Sequence, residues 1–542
     1  MVRRIRWQIL IAVCTALIVF GLLGAFAVST SATSQPLTGR VYVEGVVGEV
    51  RQLNPLVQGP DTSQAERDLA ALLFEGLTRI EPDGRVAPAL AESWTVSPDG
   101  RSYTFRLRQD RTWHDGAPVI ADDVLYTVRG VQNAFFPGDP ALPPLWRDVL
   151  VTKLDDRTVR FELSAPFAPF PSAARLPILP AHLLRTLRPE QWAGAPFSRR
   201  PVGTGPFMLR ALDAKQALLE PFPGYRGARP PIDNVLLRLY ATPDAAALDL
   251  NRREVQGVAT LATAGRRAPE PPSYTQRIRL PLGDYTLLAF NVQQAPLDDP
   301  QLRRALIQAL NRDLLITNVL GGQGQRLDTP ILPGTWAAAP DAQLPAFRRS
   351  AAQQLLGRLG YIDSDGDGWL EAGGQRFVLP LLIADTPEQV AVANEITRQM
   401  RAVGVGIEVR RVSSAALPTD LGRHNFTLAL HSWSGVGADP DMYALWHSSR
   451  ANGGTNYAGL RDPQIDQLLT DGRATTDAPR RAQIYAEFQR RWVELAPSLP
   501  LYQSVLTYDV DAAITLPAAP PALTLAPADR FATLPGWQIR SR

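Results

Sequence analysis

The stretch that decides the fold class runs from residue 285 to residue 412. It opens with Tyr285-Thr286-Leu287-Leu288-Ala289-Phe290-Asn291, a mostly apolar run of strand length. Asp298-Asp299-Pro300 follows, and acidic residues before a proline in the first turn read as a helix start. Leu302, Leu306, Leu310 and Leu314 then recur at a spacing that predicts one apolar helix face. A second helix is predicted over 351–359, ended by Gly360 at the position where a left-handed residue is wanted. Residues 377–383 read as a buried strand. Thr386-Pro387-Glu388-Gln389 is a capping box that opens a helix to about 403, and 405–412 reads as a strand again. Helices alternating with strands in this way predict an α/β fold.

Working outward, the pattern changes. Before residue 284 the chain is richer in strand. It begins with a strand at 40–43 and a helix at 63–74, with Leu69, Leu72 and Leu73 on one stripe. Ser97-Pro98-Asp99-Gly100 has the residues of a tight turn and leads into 102–108, where Tyr103, Phe105 and Leu107 alternate with polar neighbours. Val159, Phe161 and Leu163 repeat the alternation over 158–163, and 165–232 reads as Pro-rich and irregular. Toward the other end, Ile484, Phe488 and Trp492 mark a helix over 479–495.

The chain has 542 residues, of which 45% are apolar and 20% charged, a balance that excludes global disorder. The single cysteine, Cys14, excludes an intrachain disulfide and a cysteine-based zinc site. Arg3, Arg4 and Arg6 precede residues 7–28, which carry no charge, and the next basic residue is Arg40. Such a segment predicts a secretory signal or a retained membrane anchor over 1–28, with the N-terminus inside and the body exported. Lipidation of Cys14 is disfavoured, because bulky Val13 precedes it and a long apolar run follows. Residues 29–37 read as a tether. The net charge of +3 belongs to this leader: without residues 1–27 the chain carries 53 basic and 53 acidic residues. With no dense basic run interleaved with aromatics, nucleic acid is not expected as a partner.

Motifs of catalysis and cofactor binding are missing. There is no P-loop, no His-Glu-x-x-His and no Gly-x-Ser-x-Gly. Gly404-Val405-Gly406 precedes a strand instead of following one, the wrong order for a dinucleotide site. Asp363-Ser364-Asp365-Gly366-Asp367-Gly368 matches the start of a calcium loop. Its twelfth position is Gly374 where a bidentate Glu is wanted, so Asp363, Asp365 and Asp367 make at most a weak structural calcium site beside the simpler reading of a polar turn. No other cofactor is expected.

Several separate stretches converge on one family. Phe74-Glu75-Gly76-Leu77 is followed by Glu81-Pro82-Asp83-Gly84, by 88–94 ending in Glu92-Ser93-Trp94, and by Trp113-His114-Asp115-Gly116 with Ala121-Asp122-Asp123-Val124. Val202-Gly203-Thr204-Gly205-Pro206-Phe207 comes next, then Phe290-Asn291, Arg303-Arg304-Ala305 and Ala309-Leu310-Asn311-Arg312, then Asp462-Pro463 with Asp466. Together these resemble solute-binding protein family 5 of ABC importers, the family of dipeptide and oligopeptide receptors, over about residues 40 to 505. The resemblance implies a two-lobed fold of the periplasmic-binding-protein type II kind (cluster C), with the ligand cleft between lobes joined by a hinge. The matched stretches suggest lobe I at 38–283, lobe II at 284–505 and a return of 506–542 to lobe I. The implied function is capture of a peptide or similar solute and its delivery to an ABC permease, without catalysis. Alternatives are a receptor for an oligosaccharide, opine or metal chelate, or a secreted hydrolase or surface sensor on the same scaffold.

His114 and Asp115 read as a turn that holds a strand end, and 202–207 as a bend that needs glycine at 203 and 205. Ligand contacts are expected in Trp433, Ser434, Asp439 and Asp441, which follow a strand where open α/β sheets bind ligands, and in Asn456 and Tyr457. Peptide-binding members of the family have Trp, two residues, then an Asp that pairs with the peptide amine. Trp433 matches the Trp, but the Asp position is Val436. Either Asp439 or Asp441 takes over, or the ligand has no free amine.

Overall fold

Two long strands, Thr275–Phe290 and Ser498–Asp511, run antiparallel to each other from Thr275 opposite Asp511 to Ala289 opposite Ser498. The computed structural model describes residues 39–59, 61–81, 83–226, 231–261, 270–437, 439–516 and 524–539. From Tyr42 onward the chain forms one compact unit. The two long strands lie at the middle of its main sheet. To one side come Leu428–Trp433, Val378–Ala384 and Gly406–Val412, the last two pairs parallel. To the other come Gly257–Leu261, Val41–Val47, Asn234–Tyr240, Gln216–Pro221 and Phe207–Leu212. A separate antiparallel sheet orders Ala91–Val96, Ser102–Leu107, Thr158–Glu162 and Leu150–Asp155. The architecture is mixed α/β.

Two large hydrophobic clusters share this sheet. One gathers residues from 42 to 282 and from 506 to 537, around Tyr103, Trp113, Phe161, Trp192 and Trp537. The other gathers residues from 288 to 502, around Phe290, Ile396, Phe488 and Trp492. The strand register is interrupted between the two: Pro281 faces Val505 and Tyr285 faces Gln503, so Leu282, Gly283 and Asp284 bulge opposite Ser504. A third, smaller cluster surrounds Tyr285, Leu287, Phe426 and Leu525, with Ile80, Trp433, Val436 and Tyr457 packed against it.

Local sequence rules explain the element ends. Ser63 and Glu66 form a reciprocal capping box on the helix Gln64–Leu73. Thr386 caps Pro387–Arg401 by accepting from the Gln389 N–H, while the Gln389 carboxamide turns instead to the Ala384 N–H. Gly360 takes φ +87°, which suits glycine at the end of Arg349–Arg358.

Three expectations change. The apolar row Leu302–Leu314 is not one helix: Pro300–Ala309 stops, Leu310 is extended, and Asn311 caps a second helix, Arg312–Leu320, through the Leu314 N–H. Leu310 is buried and Leu314 exposed, because a polar cap within the row lets the chain turn. The strand expected at 285–291 begins ten residues earlier, since its polar first half pairs along the partner strand. The segment 165–232 is not wholly irregular: Phe207–Leu212 and Gln216–Pro221 form a hairpin at the sheet edge, where Asp213 accepts from the Lys215 and Gln216 N–H groups. Among the described residues no helix is long and apolar enough to cross a membrane; the leader at 1–28 and the tether at 29–37 lie outside the described residues.

Candidate functional site

The strand Leu428–Trp433 lies between Thr275–Phe290 and Val378–Ala384, so its buried half is apolar and its end opens into the loop at 434–442. Trp433 stacks on Tyr457, ring centroids 5.2 Å apart and planes at 10°. His431 meets both rings edge-on, at 5.1 Å and 5.3 Å. Burial pushes the His431 imidazole down to about 3, so it is neutral and completes an aromatic wall instead of adding charge. Trp433 and Tyr457 are each half-buried, so the stacked pair keeps part of its surface accessible. Ser434 is exposed beside it. Flat, partly exposed aromatic faces of this kind suit apolar or ring-bearing parts of a solute.

The loop is tied back to the bulge in the long strands. The Val436 N–H donates to the Gly283 carbonyl at 2.8 Å, and the Gly435 N–H to Asp284 Oδ1 at 2.9 Å. Gly283 N–H in turn donates to the Leu525 carbonyl at 3.3 Å. Burial raises the Asp284 carboxyl above its ordinary range. Sequence reading missed Asp284; only the pairing of distant strands sets it beside Gly435.

Asp439 and Asp441 each face an arginine. Asp439 forms a bidentate pair with Arg481, at 2.9 Å and 2.8 Å, and Arg481 also donates to the Gly472 carbonyl at 2.8 Å. Asp441 accepts from Arg473 at 2.6 Å and 3.1 Å, and that guanidinium lies 4.1 Å from the Tyr443 ring centroid. Asn456 is fully buried; its amide donates to the Trp446, His447 and Leu460 carbonyls and accepts from the Leu460 N–H. It thereby shapes the loop that carries Tyr457.

On the other large cluster, His114 acts as a clip. Its Nδ1 accepts from the Gly203 N–H at 3.1 Å and its Nε2 donates to the Gly205 carbonyl at 3.1 Å. Burial pushes this imidazole down to about 4. A Cβ at Gly203 would lie 1.8 Å from the Leu73 carbonyl oxygen, and one at Gly205 would lie 2.4 Å from that of Leu72. Both glycines are required by close approach of backbone, and neither has positive φ. A cavity of about 930 Å³ adjoins the clip, lined by Arg51, His114, Asp115, Arg200 and Arg210 among others, but not by Trp433 or Tyr457.

The oxygens of Asp363, Asp365 and Asp367 converge within 4.8 Å of one another on the exposed turn. Much of their capacity is used locally. Asp363 accepts from the Gly366 and Gly368 N–H groups, and Asp367 accepts from Trp369 N–H and pairs with Arg376 at 2.5 Å. The convergence fits a calcium ion; the Arg376 charge and the absence of a carboxylate at Gly374 do not.

Comparison with known proteins supplies the family. Residues 85–455 match the model of bacterial extracellular solute-binding proteins, family 5. The oligopeptide-binding protein AppA of Bacillus subtilis is 27% identical over 481 residues, covering 86% of this chain and 87% of its own. The nickel-binding periplasmic protein of Escherichia coli is 26% identical over 495 residues, covering 87% and 90%. In fold, the chain is similar to HbpA2 of Haemophilus parasuis, with a TM-score of 0.78 at 19% identity over 92% of this chain and all of that one. The matched model covers more than half of the chain, and so this chain belongs to family 5 of the bacterial extracellular solute-binding proteins, a family of non-enzymatic ABC-transporter binding proteins.

Proposed function

We propose that the chain is an exported receptor, held at the outer face of the cytoplasmic membrane or free in the periplasm, that captures a short peptide and passes it to an ABC permease. The single observation that carries the reading is the half-exposed Trp433–Tyr457 stack at the end of a sheet strand, on a loop bonded to Gly283 and Asp284. In this reading 38–283 with 506–542 forms lobe I and 284–505 forms lobe II. The chain crosses between them twice, side by side, in the two long strands. The break in register at 282–284 supports a hinge there, because a bulge bends a strand pair most easily. Ligand closes the lobes and the permease reads the closed form. The leader at 1–28 serves as signal or anchor and 29–37 as tether.

Val436, where peptide-binding members have an acid, favours a second reading: a receptor for an oligosaccharide, whose ring stacks on Trp433, or for another non-peptide solute. Thermal unfolding of the full chain with short peptides, oligosaccharides and nickel chelates tests the choice. A true ligand binds the folded state alone and at about 100 times Kd adds roughly 2.7 kcal/mol of stability. Stabilisation by peptides alone supports the first reading. Stabilisation by sugars or chelates alone supports the second, and no response to any class refutes both.

A further inference from the structure

With Asp439 and Asp441 each committed to an arginine, a ligand's amine needs a carboxylate from elsewhere. Four segments meet just beyond the helix Gln64–Leu73. The Gly205 N–H donates to the Leu73 carbonyl, the His114 N–H to Gly203, and the Phe222 N–H to Pro206, each at 2.9 Å. Those segments carry Glu75, Arg111, Thr204 and Tyr225. The Arg111 guanidinium lies 4.9 Å from the Tyr225 ring centroid, and the Tyr225 hydroxyl reaches Glu75 Oε1 at 3.5 Å. Arg111 is the strongest charge acting on Glu75, yet among the described residues no hydrogen bond joins the two.

The polar atoms of this cluster are unusually poor in partners. Arg111 is only 8% exposed. Among the described residues, its Nε and Nη1, Glu75 Oε2 and Thr204 Oγ1 are all enclosed without a hydrogen-bond partner. Leaving such groups unpaired costs about 1–3 kcal/mol each, and more when they are charged. Glu75 and Tyr225 are half-buried, so the cluster has access to the surface. Glu75 also leads into the strand Thr78–Ile80, and Ile80 packs on the apolar cluster that Trp433 and Tyr457 join. An occupant that satisfies both charges donates to Glu75 and accepts from Arg111.

We propose that Glu75 and Arg111 form a subsite for a zwitterion, Glu75 taking the ligand's ammonium and Arg111 its carboxylate. The proposal rests on the peptide reading above and supplies the amine contact that Val436 cannot make. It names small peptides or amino acids with both termini free as the ligand class. The charged groups facing Glu75 are Arg111, Arg79 and Arg108, with the Tyr225 hydroxyl; burial outweighs them and pushes the carboxyl up to about 7. Ammonium binding therefore strengthens as pH rises through that value.

Calorimetric titration of the full chain with L-alanyl-L-alanine, its N-acetyl form and its C-terminal amide tests the subsite. In the wild type each blocked form is expected to bind at least about 30-fold more weakly than the free dipeptide. In Glu75→Gln the free and acetylated forms should bind alike, and in Arg111→Met the free and amidated forms should. The wild type should tighten between about pH 6 and about pH 8, and Glu75→Gln should not. The comparison among ligands needs no variant, and circular dichroism checks that both variants fold. Equal wild-type binding of free and acetylated dipeptide overturns the subsite and leaves the peptide reading standing. No binding of the dipeptide or of longer peptides overturns both.

Discussion

Replacing Arg530 with methionine should destabilise the protein strongly, and the structure says by how much. The Arg530 side chain is 1% exposed, and its two acidic partners, Glu44 and Asp68, are 0% exposed. Arg530 donates to Glu44 at 3.0 Å, to both Asp68 oxygens at 2.9 Å and 2.5 Å, and to the Pro527 carbonyl at 2.8 Å. The network ties the segment Pro527–Phe531 to the strand Val41–Val47 and the helix Gln64–Leu73. Methionine keeps most of the volume but leaves two buried carboxylates without their cation. Removing one partner of a buried pair costs about 3–5 kcal/mol. At about 2.1 cal/mol/K per residue, a chain of 542 residues has an unfolding entropy near 1.1 kcal/mol/K, so Tm should fall by about 3–5 °C. Differential scanning calorimetry measures this. The triple variant Arg530→Met, Glu44→Gln, Asp68→Asn removes the stranded charges and should recover at least half of the loss. A single variant within about 1 °C of wild type, or a triple variant no better than the single, would refute the reasoning.

Other predictions concern the site and its supports. Trp433→Ala removes half of the aromatic stack and should weaken solute binding about fivefold, roughly 1 kcal/mol, with little change in Tm; titration with whichever solute stabilises the wild type measures it. Gly203→Ala forces a methyl group into the Leu73 carbonyl and should cost about 3 kcal/mol, read as a lower urea midpoint at unchanged slope. His431 and His114 are held neutral by burial, at about 3 and about 4, so the unfolded chain binds more protons below its ordinary imidazole range. Stability should therefore fall as pH drops below about 6.5, by about 2 kcal/mol for each at pH 5, and His431→Phe should flatten the acid limb of a Tm–pH profile.

Much of the fold could be read along the chain. Thr386 and Gly360 are local signals, because a cap or a left-handed turn is satisfied within a few residues. A bend that needs glycine at Gly203 and Gly205 was legible too, but its cause, the close approach of the Leu73 and Leu72 carbonyls, lies about 130 residues away and is tertiary. The row of leucines from 302 to 314 misled because spacing alone cannot see that Asn311 caps a new helix in its middle. Trp433 and Tyr457 could be named as candidates from their motif and their loop, but that their rings stack could not. Glu75 stood in view as a lone acid in Leu72-Leu73-Phe74-Glu75-Gly76-Leu77, and an acid inside so apolar a run is the signal that marks it.

Sequence by itself determined the α/β class and the family, because these rest on periodicity, caps and ordered motifs that lie within short stretches. Only the tertiary structure decided what the acids do. Asp439 meets Arg481 across 42 residues, Asp284 meets Gly435 across 151, and Arg530 meets Glu44 across 486. A charge's role depends on how deeply it is buried and which partner lies within hydrogen-bond reach, and both are set by packing between distant segments. The same physics leaves Glu75 Oε2 and Arg111 Nε and Nη1 enclosed without hydrogen-bond partners among the described residues.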